Sequence, residues 1–393
     1  MKIMSINAGS SSLKFSLFEM DTKEVLTSGQ FERIGIEHSG YTIKYNGTKL
    51  QQEVELKDHR DAVEILLEKL IELNIIQSLE EIEGVGHRVV HGKDKYSESV
   101  LITDEVLEDI DRFKDFAPLH NPANALGIEA FKKVLPDVPM VAVYDTAFHQ
   151  TMKEESFIYP VPYEWYSKYG VRKYGFHGTS HRYIAKTMQE ELKNDSLKII
   201  NCHLGNGGSI CAIQNGKCVD TSMGFTPLAG IMMGTRSGDV DPSIIPYIME
   251  KEGKNAGEVI DDLNKKSGFL GVSELSSDSR DVEQGALEGK ENCILAQTKF
   301  VRTVVNYIAN YYVLLGGCDV LTFTAGIGEN SIRTREAIVE KLVCLGFQLD
   351  VEKNNVRGKL TKISSENSSS LIYVVPTDEE WMIAKDTLEI INR

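Results

Sequence analysis

One local pattern occurs twice in this chain: a short apolar strand, a turn rich in Gly, Ser and Asn, and a second apolar strand. The first copy, KIMSINAGSSSLKFSLFEM, spans residues 2–20, and the second, LKIINCHLGNGGSICAIQNGKCVD, spans residues 197–220. Glycine in such a turn permits a positive φ and lets backbone N–H groups approach an anion closely. The duplication predicts two related domains, each with a phosphate-binding turn, and a ligand held between them.

Strands and helices alternate along the 393 residues. This predicts an α/β fold of two domains, because one hydrophobic core rarely serves a chain of this length. The segments TAFHQTM and PVPYEWYSKYG interrupt the pattern and predict the crossover between the domains. We therefore expect an N-terminal domain of residues 1–148 together with about 380–393, and a C-terminal domain of residues 149–379.

Local signals place several elements. Asn46 and Gly47 predict a tight hairpin, and Asp58 is expected to cap a helix whose apolar residues recur at helical spacing. Asp241, followed by Pro242, is expected to cap the helix in PSIIPYIMEKEG.

Composition excludes several classes of partner. The net charge is −15, so the average surface repels phosphate backbones and anionic membranes. We therefore expect no nucleic-acid or membrane partner, and any phosphate site must be a local basic pocket or contain a metal. The six cysteines form no CxxC pair, which leaves a zinc site unsupported and favours reduced thiols in the cytoplasm. We expect no secretory signal, and no apolar run approaches the roughly 20 residues that span a bilayer.

Three Gly-rich turns, NAGSSSLKF, HLGNGGSI and TFTAGIGENS, each follow an apolar strand. In the first, Lys14 is close enough to neutralise a phosphate, although Ser and Gly are equally common in plain hairpin turns. The third is expected to be a turn that leads into a helix, a geometry that suits nucleotide phosphates or sugar. Three such turns are hard to assign to packing alone.

Cationic and imidazole side chains near glycines are candidate ligand-binding groups. Arg88 in GHRVVHG and Arg236 in MGTRSGD could each reach a ligand, although a single loop arginine is commonly just solvated. His177 immediately precedes a predicted helix, where the helix dipole favours anions. We interpret His177 as a hydrogen-bond donor to phosphate and His181, inside the helix, as structural.

Two acidic positions have both a functional and an ordinary interpretation. Asp145 ends the strand MVAVYD, where α/β enzymes commonly display catalytic carboxylates, but Asp also caps turns. Asp378, Glu379 and Glu380 begin a predicted helix. They provide either favourable charge at a helix N-terminus or a ligand to Mg²⁺.

Eight segments, taken in order, resemble the acetate kinase (acetokinase) family of the sugar kinase, Hsp70 and actin structural superfamily. They are NAGSSSLKF, GHRVVHG, VYDTAFH, YGFHGTSH, HLGNGGSI, DTSMGFTPLAGIMMGTRSGD, TAGIGENS and TDEE. The resemblance covers essentially the whole chain and implies a duplicated actin-like (ribonuclease H-like) ATPase fold with the active site in the interdomain cleft. It also implies reversible, Mg²⁺-dependent transfer of the γ-phosphoryl group of ATP to acetate, giving acetyl phosphate and ADP, with Mn²⁺ as a substitute metal. A homodimer is implied by the resemblance alone.

The resemblance also assigns roles to individual residues. The catalytic positions are matched by Asp145, His177 and Arg236, and the metal site by Asn7 and Glu379. From the first hairpin itself, Ser10 and Ser12 are expected to contact phosphate. Arg88 matches the residue that binds the substrate carboxylate, and the pocket for the methyl group is matched by Val90, Leu119, Phe176 and Pro227, with His120 beside it. The ATP-contacting positions are matched by Lys14, His203, Leu204, Gly205, Asn206, Gly207, Asp278, Ser279, Arg280, Gly326, Ile327, Gly328, Glu329 and Asn330.

The chemistry of a carboxylate acceptor agrees with these roles. Acetate, with a pKa of about 4 to 5, is already a nucleophile at neutral pH and needs no general base. It needs cations that relieve the repulsion between two anions, so catalysis becomes positioning and charge stabilisation. We therefore expect Asp145 to orient Mg²⁺ or its Arg and His partners, and a role as a base stays open.

Three alternatives remain. A propionate kinase would differ by one methylene of substrate, worth about 1 to 3 kcal/mol of discrimination. A hydroxyl kinase would use Asp145 as a base on a sugar alcohol, but two arginines near an apolar pocket disfavour a neutral polyol. A non-catalytic actin-like ATPase module would share the nucleotide site through its fold alone and would not need the second set of cations.

Overall fold

The computed structural model describes residues 1–118 and 120–393. Its strands are β1 (Lys2–Gly9), β2 (Ser12–Glu19), β3 (Glu24–Glu32), β4 (Gly40–Tyr45), β5 (Thr48–Glu53), β6 (Ile82–Val89), β7 (Val100–Leu101), β8 (Met140–Tyr144), β9 (Lys198–Leu204), β10 (Gly208–Gln214), β11 (Lys217–Thr221), β12 (Val320–Thr324), β13 (Thr361–Lys362) and β14 (Leu371–Val374). Its α-helices are α1 (His59–Glu72), α2 (Asp104–Arg112), α3 (Asn121–Val134), α4 (Glu154–Phe157), α5 (Tyr163–Tyr169), α6 (Gly178–Leu192), α7 (Ile244–Glu252), α8 (Ala256–Lys265), α9 (Gly268–Ser273), α10 (Ser279–Leu287), α11 (Glu291–Leu315), α12 (Ala325–Asn330), α13 (Ile332–Lys341) and α14 (Glu379–Ile391). None of the described helices is long and apolar enough to cross a lipid bilayer.

The chain forms two compact units. Unit 1 contains Met1–Gln150 and Asp378–Arg393, and unit 2 contains Thr151–Thr377. The second boundary falls before Asp378, so Glu379 lies in unit 1 and not in the C-terminal domain to which the sequence prediction assigned it. The physical reason is that α14 packs its apolar face, including Ile383, against the sheet of unit 1.

The described strands of unit 1 form one sheet in the order β5-β4-β3-β2-β1-β6-β8-β7. Strands β1, β2 and β3 pair antiparallel, whereas β1, β6 and β8 run parallel. Both faces of β1 are covered, because alternate side chains point to opposite faces of a strand. Met4 and Ile6 pack in a core with residues of α1 and α3, and Ile3 packs with Ala384 of α14.

Unit 2 repeats this strand order. Its described strands run β11-β10-β9-β12-β14-β13, with β9, β10 and β11 antiparallel and β9, β12 and β14 parallel. The long helix α11 contributes Phe300, Val304 and Ile308 to the core beneath this sheet. The predicted duplication of an α/β unit is therefore confirmed.

The glycines of the two duplicated turns do not use the positive φ that glycine permits. In the described residues, Gly9, Gly205, Gly207 and Gly208 are not among the glycines with positive φ. Close packing explains glycine at these positions. A Cβ on Gly208, for example, would lie 2.9 Å from Ile231 Cδ1.

Two local predictions are wrong. The helix expected after Asp241 begins at Ile244, because Asp241 instead closes a turn: its side chain accepts from the Ser243 backbone N–H at 2.8 Å. The Gly-rich segment of TFTAGIGENS is not a turn but the six-residue helix α12. Side chains that bond to both ends of α12, described below, stabilise it despite its two glycines.

Candidate active site

In unit 1, Arg88 and Asp145 meet at the carboxyl ends of two neighbouring parallel strands. Arg88 lies on β6 opposite Val143 of β8, and Asp145 follows β8 directly. Arg88 Nε donates to Asp145 Oδ1 at 2.9 Å, and Arg88 Nη2 donates to Oδ2 at 2.6 Å. Both carboxylate oxygens of Asp145 are therefore occupied by one guanidinium group, in the bidentate geometry that fixes an arginine most firmly.

The Arg88–Asp145 pair is poorly accessible to water. The side chain of Asp145 is 2% exposed and that of Arg88 is 23% exposed. Burial alone would lower the pKa of Arg88, but the charge and hydrogen bonds of Asp145 outweigh burial and raise this pKa. Arg88 is therefore a fixed, permanent cation.

Asn7 lies beside this pair at the end of β1. Arg88 Nη1 donates to Asn7 Oδ1 at 3.4 Å. Lys14 is directly opposite Asn7 in the β1–β2 pair, so the two side chains project from the same face of the sheet. Lys14 and Ser10 are exposed and Ser12 is half-buried. The first hairpin therefore presents an amide, a cation and hydroxyl groups near Arg88.

Glu379 begins α14, whose N-cap is Asp378; the Asp378 carboxylate accepts from the Trp381 backbone N–H at 2.9 Å. Burial raises the pKa of Glu379 to about 7, Arg88 opposes this rise, and the charge of Asp145 adds to it. Glu379 is therefore electrostatically coupled to the Arg88–Asp145 pair. Asp378 performs the ordinary capping function, and Glu380 is exposed.

The residues expected to form the substrate pocket are divided between the two units. In unit 1, Val90 is buried and its backbone N–H donates to Asn124 Oδ1 at 3.1 Å, while His120 is exposed at the start of α3. In unit 2, Phe176 is buried and Pro227 is half-buried. Leu119, the remaining member, lies outside the described residues.

In unit 2, His177 is the N-cap of α6 and has a left-handed backbone conformation with φ of 58°. Its Nδ1 is 2.9 Å from Ser209 Oγ, and its ring stacks on that of His203 with centroids 4.1 Å apart. His181, one turn into α6, is fully buried and lies 2.8 Å from the same Ser209 hydroxyl. The burial of His181 agrees with a structural role. His177 is held by Ser209 through a hydrogen bond and by His203 through ring stacking.

Arg236 and His177 lie beside Gly207 of the second Gly-rich turn. A Cβ at Gly207 would lie 3.3 Å from Arg236 Nη1 and 3.8 Å from His177 Nε2. Arg236 is half-buried, and burial lowers its pKa. Two side chains able to donate hydrogen bonds are therefore adjacent to one backbone turn.

Many of the predicted ATP-contacting residues line a cavity of about 1210 Å³ in unit 2. This volume exceeds that of typical pockets for small ligands, about 300 to 1,000 Å³. The predicted residues that line it are Gly205, Asn206, Asp278, Ser279, Arg280, Gly326, Ile327 and Asn330. Arg280 hydrogen-bonds to Asp278 and lowers the pKa of this carboxyl to about 2.

The other predicted ATP-contacting residues of unit 2 lie around the cavity rather than in its lining. Leu204 belongs to the hydrophobic core, which leaves only its backbone for a nucleotide. His203 stacks on His177. Glu329 accepts from the Ala325 backbone N–H at 2.8 Å and so holds the N-terminus of α12, while Gly328 lies near its C-terminus.

Arg335, which was not predicted from the sequence, holds the other end of α12. It is fully buried, and its Nη1 donates to the backbone oxygens of Gly328 at 2.9 Å and Glu329 at 3.0 Å. Burial lowers its pKa to about 10, so Arg335 stays protonated at neutral pH. It thereby satisfies carbonyls that the end of a helix leaves without partners.

Arg333 and Arg357 also line the cavity and were not predicted from the sequence. A signal for Arg333 was present: it stands in the first turn of α13, where a cation opposes the helix dipole. A residue placed against a local preference often serves a ligand. Arg357 lies in an irregular segment that carries no comparable signal.

Comparison with known proteins identifies the family. The model of the Acetokinase family matches residues 2–385. An acetate kinase of Anoxybacillus flavithermus is 55% identical over 393 residues, covering 100% of this chain and 99% of that protein. The crystal structure of Porphyromonas gingivalis acetate kinase matches with a TM-score of 0.96 at 46% identity, and that of a propionate kinase from Francisella tularensis with 0.94 at 42%, each covering 99% of both chains. The chain therefore belongs to the acetokinase family.

Proposed function

We propose that this chain catalyses the reversible, Mg²⁺-dependent transfer of the γ-phosphoryl group of ATP to acetate. In the forward direction an acetate oxygen attacks the γ-phosphorus directly and in line. The bond between the γ-phosphorus and the bridging oxygen breaks, and ADP leaves with that electron pair. No proton has to be removed from acetate, because acetate is ionised at neutral pH.

The bidentate Arg88–Asp145 pair is the observation that carries this proposal. In a hydroxyl kinase, an aspartate at this position would need an oxygen available to take a proton from the acceptor. Here both Asp145 oxygens accept from Arg88. We propose that Asp145 positions Arg88 and that Arg88 binds the substrate carboxylate.

Further roles follow from position and charge. Val90, Leu119, Phe176 and Pro227 would surround the methyl group, with His120 beside them, and Ser10, Ser12 and Lys14 would contact phosphate. His177 and Arg236 would stabilise the charge of the transition state, where one well-placed donor contributes about 3 kcal/mol. The remaining residues predicted to contact ATP would bind it in or around the cavity of unit 2.

Asn7 and Glu379 would hold the divalent metal. Both offer oxygen, the donor that Mg²⁺ prefers. The half-buried Glu379 carboxyl, with its pKa of about 7, suits a cation partner, because a nearby positive charge favours the ionised form. When bound, Mg²⁺ supplies positive charge that neutralises the phosphates during transfer, and we expect Mn²⁺ to substitute. By resemblance, we also propose a cytoplasmic homodimer.

Trapping with hydroxylamine tests the reaction. Incubation with MgATP, acetate and hydroxylamine should yield acetyl hydroxamate, and the yield should vanish with EDTA and return when Mg²⁺ or Mn²⁺ is added. The structural similarity to a propionate kinase makes propionate the second candidate substrate, so acetate, propionate and butyrate should be ranked by kcat/KM. ATP binding without a hydroxamate from any of these acids would refute the proposed function.

A further inference from the structure

A buried chain of hydrogen bonds ends at His177. It begins at Thr322 on β12, whose Oγ1 donates to Asn201 Oδ1 at 2.7 Å. Asn201 Nδ2 lies 2.8 Å from His181 Nδ1, and His181 Nε2 lies 2.8 Å from Ser209 Oγ. The last link joins Ser209 Oγ to His177 Nδ1 at 2.9 Å.

The four groups behind His177 are inaccessible to water. Thr322, Asn201, His181 and Ser209 are each 0% exposed. They come from three neighbouring strands, β12, β9 and β10, and from α6. A buried network is stable when each of its members is satisfied, and removal of one member leaves its neighbours unpaired.

The chemistry of each group determines which atom donates and which accepts in each hydrogen bond. The Asn201 amide can only donate from Nδ2, so His181 Nδ1 accepts, and a neutral His181 then carries its proton on Nε2. His181 Nε2–H therefore donates to Ser209 Oγ. The Ser209 hydroxyl proton is left to donate to His177 Nδ1, and so the proton of a neutral His177 lies on Nε2.

We propose that Ser209, His181 and Asn201 are positioning residues that fix the tautomer of His177 with its proton on Nε2. This inference rests on the proposed function, in which His177 donates to the phosphoryl group in transit. The Cε1–Nε2 edge of the His177 ring faces Gly207, since a Cβ there would lie 3.8 Å from both atoms, and Nε2 is the only nitrogen on that edge. The opposite tautomer would present a lone pair to an anionic oxygen and would repel it.

The fixed tautomer gives His177 a donor without requiring a charged imidazolium. A neutral histidine without fixed partners exchanges between two tautomers, with the proton on Nδ1 or on Nε2, and its surroundings set the ratio. The chain of hydrogen bonds selects one tautomer because Ser209 binds to Nδ1 of His177, as partners of metal-binding histidines do at the nitrogen away from the metal. Precise placement of the donor therefore depends on residues that do not touch substrate.

Nitrogen NMR of ¹⁵N-histidine-labelled protein tests this directly and needs no substrate. His177→Gln identifies the His177 signals by their loss. In the wild type, His177 should have a protonated Nε2 and an unprotonated Nδ1. Ser209→Ala should give a mixture of both tautomers. It should also lower kcat by roughly 10- to 100-fold, the range for groups that orient a functional histidine, with the KM for ATP and acetate within about twofold of the wild type.

Two further variants keep the test decisive if Ser209→Ala folds poorly. Asn201→Asp should reverse the donor and acceptor roles along these hydrogen bonds, because a carboxylate accepts from His181 Nδ1. The proton of His177 should then move to Nδ1. His181→Gln keeps an N–H donor toward Ser209 and should preserve the wild-type tautomer. Ser180→Ala is the matched control: Ser180 Oγ bonds to His203 Nδ1 at 2.8 Å, so its loss should leave the His177 tautomer unchanged.

A proton on Nδ1 of His177 in the wild type would overturn the inference. An unchanged tautomer in Ser209→Ala would also overturn it. Because the NMR measurement is independent of turnover, failure of the inference and failure of the proposed phosphoryl transfer can be told apart.

Discussion

In the proposed function, the buried carboxylate of Asp145 serves catalysis by positioning Arg88, without exchanging a proton. Its two oxygens hold Arg88 in one orientation, and its side chain is almost completely inaccessible to water. A guanidinium held in this way loses little side-chain entropy when an anionic substrate binds. The importance of Asp145 should therefore be measurable through Arg88.

We expect Asp145→Asn to lower kcat/KM for acetate by roughly 10²- to 10³-fold, the scale found for loss of one preorganised electrostatic group. An amide can accept only one of the two hydrogen bonds, so Arg88 loses its orientation and its charge partner. Steady-state kinetics at saturating Mg²⁺ measures this. Turnover close to that of the wild type would show that Asp145 is dispensable as a positioning group and as a base.

Asp109 offers a matched control for that substitution. It is a buried aspartate of unit 1 that bonds to Lys95, Tyr96 and Arg112, none of which has a proposed role in the reaction. Asp109→Asn should lower the free energy of unfolding but leave kcat/KM for acetate within about threefold of the wild type. A comparable loss of activity in both variants would indicate a general loss of folding instead of a local effect at Arg88.

At the scale of the element, α12 is a short helix held by side chains at both ends. Glu329 bonds to its first backbone N–H, and Arg335 bonds to carbonyls at its C-terminus. Ala325 at its start has a φ of 64°, a conformation that costs a non-glycine residue about 1 to 2 kcal/mol. Support from both ends stabilises this strained start beside the cavity.

Two glycines of α12 should respond differently to substitution. A Cβ on Gly326 would meet no protein atom within 4 Å, whereas one on Gly328 would lie 3.2 Å from the Phe323 carbonyl carbon. We expect Gly326→Ala to leave the Tm unchanged but to raise the KM for ATP by roughly tenfold, the scale of one unfavourable methyl contact. Gly328→Ala should instead lower the Tm.

Thermal unfolding and ATP titration of both variants separate these effects. The KM for acetate serves as the internal control for Gly326→Ala, because Gly326 lines the cavity of unit 2. Unchanged ATP affinity in Gly326→Ala would exclude close approach of the nucleotide to α12.

The sequence predicted the elements with strong periodicity or turn chemistry. Examples are the helix capped by Asp58 and the hairpin at Asn46 and Gly47. It did not predict α12, because the stability of this Gly-rich helix depends on Arg335, a residue outside the helix whose role has no signal in the sequence. Ser209 lies within the motif HLGNGGSI, but its role could not be predicted, because only the fold places its hydroxyl between His177 and His181.

The family and its activity could be predicted for a different reason. Eight motifs in a fixed order are specific even when each one alone is weak, and the predicted acetate kinase activity and actin-like fold are confirmed by the comparisons. The roles of individual residues stay predictions. They depend on distances between side chains, and spacing along a sequence does not determine those distances.

At the scale of the molecule, buried histidines should make the fold sensitive to acid. Burial lowers the pKa of His87 to about 3, while an unfolded histidine titrates near 6.5. The folded state keeps His87 neutral and the unfolded state binds a proton, so this stabilisation is complete above pH 6.5 and is lost as the pH falls. Between pH 7.5 and 5 the loss from His87 is about 2 kcal/mol.

Urea unfolding at pH 7.5 and pH 5 measures this contribution. His87→Leu should lose about 2 kcal/mol less than the wild type over that interval, because leucine binds no proton. Comparison with the wild type cancels the titration of other groups, including His91, whose pKa burial also lowers to about 3. His38→Gln, at a histidine that is 76% exposed, is the control. Equal losses in wild type and His87→Leu would contradict the prediction.

The path of the chain through its two units has a consequence for synthesis on the ribosome. Unit 2 is one continuous segment, whereas α14, which covers β1, β6 and β8 of unit 1 and begins with Glu379, is made only after unit 2. At about 5 to 20 residues per second, translation of unit 2 takes on the order of ten seconds or more. During that time the earlier-made strands of unit 1 lack part of their cover. The nascent chain therefore exposes an apolar sheet face that chaperones can bind, and unit 2 can finish folding before the unit whose synthesis began first.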